Sequence, residues 1–214
     1  MVDDTSETDR LLQRVAQGDR ESWGALLEQH RDRLKRMVAL RLDPRLAARI
    51  DPSDVIQEAY LEASTRLAGY LDRPDMPFFL WLRFLAGQKL VTLHRQHLGV
   101  QARDAGREVS LDHGRGPETS SVALVNLLLG EGPRPSEVAI RAELKLLLEE
   151  ALNGMDAIDR EVLALRHFEQ LSRAETAQVL GIQEAAVSKR YVRALKRLKD
   201  ILSELPGGLE GLMP

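Results

Sequence analysis

Six basic side chains crowd the stretch between Gln183 and Lys199: Lys189, Arg190, Arg193, Lys196, Arg197 and Lys199, against the single acid Glu184. Cationic groups at helical spacing neutralise phosphates and present N–H donors to base edges. On a 3.6-residue wheel Val187, Tyr191, Ala194, Leu195 and Leu198 share one face. Lys189, Arg193 and Lys196 lie opposite them, with Arg190 and Arg197 on a flank. A helix with an apolar back and a cationic front suits the major groove of DNA. Other chemistry finds less support. His94 and His97 stand three residues apart, but no third ligand lies nearby, so no metal site is expected. The chain has no cysteine, which removes thiolate metal sites, disulfides and cysteine nucleophiles. It carries no glycine-rich phosphate loop and no H-E-x-x-H motif. No enzyme and no cofactor are expected.

The cationic helix needs a partner to present it, and the residues before it supply one. Ser172 and Glu175 form an S-x-x-E capping box, which predicts a helix from Arg173. Gly181 should end that helix in a left-handed conformation, leaving only Ile182 and Gln183 before the next. Small Ala177 and apolar Val187 flank this turn at the spacing of a helix-turn-helix.

The chain has 214 residues, 43% of them hydrophobic, which is enough for two small cores. Its net charge of −3 confines nucleic-acid contact to local patches. No signal peptide or apolar run of membrane-spanning length is apparent, so a cytoplasmic protein is expected. Helical periodicity dominates, with no strand signal and no internal repeat. Residues 7–16 form a short helix closed by Gly18. A second helix from Asp19 or Arg20 carries Trp23, Leu26, Leu27, His30, Leu34, Met37, Val38 and Leu42, and ends at Pro44. Asp51 can cap a third helix with Pro52 in its first turn. There Val55, Ile56, Ala59, Tyr60, Ala63 and Leu67 turn inward, leaving Asp54, Gln57, Glu58, Leu61 and Glu62 outward. Residues 69–76 read as a loop. The chain re-enters a helix at Pro77, where apolar spacing favours burial of Phe78, Phe79 and Trp81. Arg83, Lys89, His94, Arg95 and His97 should form its basic edge. Glycine, proline and serine then punctuate residues 99–137, which read as a linker interrupted by an apolar island at residues 122–129.

The expected fold is all-α. Two small helical domains, residues 1–98 and 138–205, are joined by a flexible linker at 99–137, with a loose tail at 206–214. Three stretches then fall into one pattern. Residues 54–60, DVIQEAY, resemble the D-x-x-Q-E-x-F/Y helix of bacterial sigma factors. Trp81-Leu82 followed by Leu85-Ala86 is similar to the W-L-x-x-I-A segment of their promoter-melting domain. Residues 155–199 resemble their C-terminal helix-turn-helix. The two-domain layout matches the extracytoplasmic-function group of sigma factors. After Leu85-Ala86 the family commonly has Arg-Asn, whereas this chain has Gly87-Gln88.

The resemblance implies a non-enzymatic promoter-recognition subunit of RNA polymerase. Asp54, Gln57, Glu58 and Leu61 would dock on the clamp helices of the largest polymerase subunit. Arg73, Trp81, Arg83, Gln88, Lys89 and Arg95 would meet the minus-ten element. Ser172, Ser188, Lys189, Arg190, Arg193, Lys196 and Arg197 would meet the minus-thirty-five element. Promoter DNA, core polymerase and an anti-sigma factor are the implied partners, with no membrane. The competing expectation is a stand-alone helix-turn-helix regulator, which would bind a symmetric operator without polymerase.

Overall fold

A computed structural model describes residues 2–98, 117–129 and 138–204. Among these residues every regular element is helical, as the periodicity predicts. The chain divides into two compact units, Met1–Pro117 and Glu118–Pro214.

In the first unit α1 (Val2–Ala16) turns through Gly18, at φ 90°, into α2 (Arg20–Arg41). Asp19 caps α2 by accepting from the backbone N–H groups of Glu21 and Ser22. Pro44 does not end α2, which stops three residues earlier. Instead it opens a single-turn helix, α3 (Pro44–Ala47), capped by Asp43. Proline suits that first-turn position because its missing N–H would have no helical partner. Asp51 caps α4 (Pro52–Asp72) by accepting from Ser53 N–H at 2.7 Å. The expected loop at residue 69 is shorter than predicted, since α4 continues to Asp72. Gly69 sits in the last turn with nothing near its Cα hydrogen, so the helix passes through it without a steric conflict. After residues 73–77, α5 (Phe78–Leu98) packs on α4 and α2. Leu26, Leu34, Val38, Ala63, Leu82, Ala86 and Leu90 are fully buried where these helices meet. Two polar clamps set the register of α4 against α2. Tyr60 donates its hydroxyl to the Leu27 carbonyl at 2.7 Å, and the Trp23 indole donates to Ser64 at 3.2 Å.

The second unit contains α6 (Ser121–Leu129), α7 (Val138–Asn153), α8 (Ala157–Leu163), α9 (Arg173–Leu180) and α10 (Glu184–Glu204). The apolar island of the expected linker is α6, and it packs on α7. Leu124 and Val125 are fully buried, and Thr119 donates its hydroxyl to the Glu161 carboxylate at 2.6 Å. The expected linker boundary at residue 137 is therefore corrected: α6 belongs to the second unit. After α8 the helix widens into a π turn, Ala164–Phe168, where Glu169 N–H bonds to the Ala164 carbonyl. It closes at Gln170, which holds a left-handed φ of 57°.

Candidate nucleic-acid and partner interfaces

The turn between α9 and α10 forms as the capping signals predict. Ser172 accepts from Glu175 N–H at 3.1 Å, while the Glu175 carboxylate accepts from Ser172 N–H at 2.7 Å. Gly181 adopts φ 63°, and Ile182 N–H reaches back to the Ala177 carbonyl. Two orphan N–H groups and the last helical carbonyls are thereby satisfied, which fixes where α10 begins.

Val187, Ala194 and Leu198 are buried, so the inner face of α10 is the predicted one, although Leu195 is 39% exposed at its margin. Lys189, Arg193, Lys196 and Arg197 are exposed; Ser188 and Arg190 are half-buried. The outer face also carries Val192 at 65% exposure, midway between Lys189 and Lys196. The cations are not equivalent. Arg190 and Arg193 both converge on Asp159 of α8, a residue only 4% exposed. Arg190 Nη1 lies 2.7 Å from Asp159 Oδ1. Arg193 approaches side-on, with Nε 2.5 Å from Oδ2 and Nη2 2.7 Å from Oδ1. Burial pushes the Asp159 carboxyl up, but the bonds from Arg193 and Arg190 outweigh it and hold its pKa below the ordinary value. Arg197 leans toward the Gly154 turn at the end of α7, where a Cβ on that glycine would stand 3.1 Å from Nη2. Ser172 is committed to its cap. The expected cationic front is thus split: lysines outward, arginines toward α8 and the end of α7.

On α4, Asp54, Gln57, Glu58 and Leu61 are all exposed along one side, with Leu61 at 70%. Val55, Ile56, Ala59 and Ala63 are buried beneath them. Glu62, expected outward with them, is half-buried. It binds Lys89 of α5 at 2.7 Å and also pairs with Arg66. The bond from Lys89 holds the Glu62 carboxyl below its ordinary pKa.

The residues expected at the minus-ten element differ in exposure. Arg73 and Arg95 are exposed, Gln88 is half-buried, and Lys89 is tied to Glu62. Arg83 is 2% exposed, which corrects its assignment to a DNA-facing edge. The physical reason is that the first half of α5 is enclosed on nearly all sides: Phe79, Leu80, Leu82, Ala86 and Gly87 around Arg83 are buried as well. His94 also leaves the expected edge, accepting from Asp43 N–H at 3.3 Å, with burial lowering its pKa. Trp81 is half-buried and stacks on Tyr70 with ring centroids 4.5 Å apart. Tyr70 donates to the Met76 carbonyl, bracing the loop at residues 73–77, and burial pushes its phenol up to about 12. Tyr70 and Asp159 carry no mark in the sequence itself. Both act through partners on other helices, which periodicity does not register.

The described residues contain no group of His, Asp or Glu able to hold a metal ion, and no helix among them is long and apolar enough to cross a membrane. Residues 145–198 match the family described as Sigma-70, region 4. The chain is 31% identical over 192 residues to the ECF RNA polymerase sigma factor SigD of Mycobacterium tuberculosis, covering 90% of this chain and 82% of SigD. It is 24% identical over 202 residues to the ECF RNA polymerase sigma-E factor of Escherichia coli, covering 91% and 94%. The solved structure of CnrH in complex with the cytosolic domain of CnrY shares the fold, with a TM-score of 0.53 at 22% identity over 92% of this chain and 97% of that one. With a helix-turn-helix of this geometry and similarity that runs through both units, the chain belongs to the ECF family of RNA polymerase sigma factors.

Proposed function

We propose that this sigma factor docks on core RNA polymerase through the exposed side of α4 and reads promoter DNA with α10. The observation that carries the reading is similarity to ECF sigma factors across 90% of the chain, through both units and not the helix-turn-helix alone. A stand-alone regulator would need only the second unit to match. Asp54, Gln57, Glu58 and Leu61 form the docking strip, an exposed apolar side chain set among polar ones. Exposed polar side chains give such a strip specificity, and the leucine supplies apolar area to bury.

In the first unit Arg73, Gln88, Lys89, Arg95 and the Tyr70–Trp81 stack serve the minus-ten element. A base extruded from the duplex loses stacking energy, which an aromatic surface offsets. In the second unit Ser188, Lys189, Arg190, Arg193, Lys196 and Arg197 serve the minus-thirty-five element. Val192 offers an apolar contact of the kind that suits a thymine methyl group. Ser172 sits at the positive end of α9, where a phosphate is favoured. An anti-sigma protein is the partner proposed to hold the chain inactive. CnrH, which shares this fold, was solved in complex with a second protein, the cytosolic domain of CnrY, and that supports the reading.

The test is transcription in vitro with core polymerase, with and without this chain. Promoter-specific initiation that appears only with the chain is the expected result. Tight binding of a symmetric operator with no dependence on polymerase would overturn it.

A further inference from the structure

The Asp159 cluster has a geometry that simple charge neutralisation does not require. A guanidinium carries its N–H donors on two usable edges, one through Nε and Nη2 and one through Nη1 and Nη2. Arg193 gives Asp159 the first edge, with both bonds at 2.5 and 2.7 Å. The second edge is directed away from Asp159, and the side chain remains 60% exposed. That outer edge still offers two N–H donors side by side, as a bidentate grip on O6 and N7 of guanine needs. Asp159 itself is 4% exposed in α8, and its Oδ1 also accepts from Arg190, whose side chain is 29% exposed. Asp156 adds a longer contact to Arg190 at 3.7 Å.

We propose that Asp159 is a positioning residue for DNA reading: it locks the inner edge of Arg193 so that the outer edge is presented to a guanine of the minus-thirty-five element. The inference rests on the promoter-reading function proposed above for α10. A flexible arginine must lose several rotors when it binds, whereas one already fixed loses few, so the lock favours the correct base over a general phosphate contact. Asp159 also sets one negative charge against two positive ones. It therefore lowers indiscriminate attraction to the phosphate backbone while sharpening discrimination.

The test uses full-length protein in polymerase holoenzyme, titrated against a promoter selected by the wild type from duplexes randomised at the minus-thirty-five element. Variants with each guanine replaced are titrated beside it at several salt concentrations. Asp159→Asn is expected to cut discrimination at one guanine roughly tenfold, within the range of a lost bidentate base contact. It is also expected to raise the salt slope by about 1, for the positive charge it uncovers. A merely structural role would weaken all promoters alike and leave the preferred base intact, which would overturn the inference. In an Arg193→Ala background, Asp159→Asn is expected to cause no further loss of discrimination; a loss as large as in the wild type would also overturn it. Arg193→Lys leaves Asp159 itself in place and provides a readout if Asp159→Asn fails to fold. It keeps the charge but lacks two edges, so the salt slope should hold while discrimination falls. A lysine that restores full discrimination would sink the idea. If wild-type holoenzyme shows no preference for any minus-thirty-five sequence, the promoter-reading function falls and the inference falls with it. If the wild type discriminates and Asp159→Asn does so equally well, the inference alone falls.

Discussion

Replacing Leu61 by alanine is expected to separate the proposed docking from folding. The side chain is 70% exposed, so most of its apolar surface is available to a partner and little of it supports the core. Full burial of a leucine is worth about 1.5–3 kcal/mol. The exposed share of Leu61 therefore corresponds to roughly 1–2 kcal/mol of docking energy, or about a five- to thirtyfold weakening of affinity when it is removed. The folded state loses only the minor covered share, and alanine is the better helix former, so stability should change by less than about 0.5 kcal/mol. Val55, six residues earlier in α4 and 2% exposed, provides the opposite control. Val55→Ala opens a cavity in the first unit and is expected to lower the melting temperature distinctly. Fluorescence anisotropy of labelled protein titrated with core polymerase measures the first effect, and thermal melting by circular dichroism the second. Equal affinity of Leu61→Ala and wild type for core polymerase would refute the placement of the docking strip. A large fall in melting temperature for Leu61→Ala would refute the claim that the strip is outside the core.

Three further outcomes follow from other parts of the molecule. Gln170→Gly should raise the stability of the second unit by roughly 1 kcal/mol in thermal melting, because φ 57° is strained for any residue with a Cβ; a destabilised variant would show that the side chain outweighs the strain. Leu124→Ala should cost about 2–4 kcal/mol in denaturant unfolding of the second unit, since the side chain is fully buried on α6; a neutral result would mean that α6 is not docked. Asp159 has a folded pKa below its ordinary 3.8, so its contribution to stability is present above that value and is lost as pH falls through the lower, folded one. The melting-temperature gap between wild type and Asp159→Asn should therefore be constant above about pH 5 and close on acidification, and a gap that does not depend on pH would contradict the ion-pair assignment.

Features encoded within a few residues were legible in the sequence. The capping box at Ser172 and Glu175, the left-handed turn at Gly181 and the Asp51 cap each depend on groups only two to four residues apart in the chain. The same holds for α4, whose polar and apolar sides alternate cleanly enough to orient it. Where a helix is enclosed, the wheel has no solvent side to find. The charge of Arg83 implies a basic edge, yet the surrounding turns of α5 are buried. Composition misled in the opposite sense at residues 121–129. Glycine and proline on both sides suggested a linker, while burial of Leu124 and Val125 was decided by α7, a distant element. Gln170 hides its turn in another way, because the left-handed residue is not the glycine that usually marks one.

The helix α10 shows how far a wheel can go. It separated Val187, Ala194 and Leu198 from the charged face, and burial agrees. It could not rank the charges, because their rank is set by contacts 31 and 34 residues away in sequence, from Asp159 to Arg190 and Arg193. Without that carboxylate the five cations between Lys189 and Arg197 would be interchangeable points on a positive surface. With it, Lys189 and Lys196 stay unconstrained, suited to phosphates at varied positions, while Arg193 has a fixed plane and one fixed edge. A mobile ammonium tolerates many sequences; a planar group held from behind tolerates few. On the proposed reading, the difference between a helix that reads sequence and one that merely adheres to DNA lies in an acidic residue that belongs to a different helix and is itself nearly inaccessible to solvent.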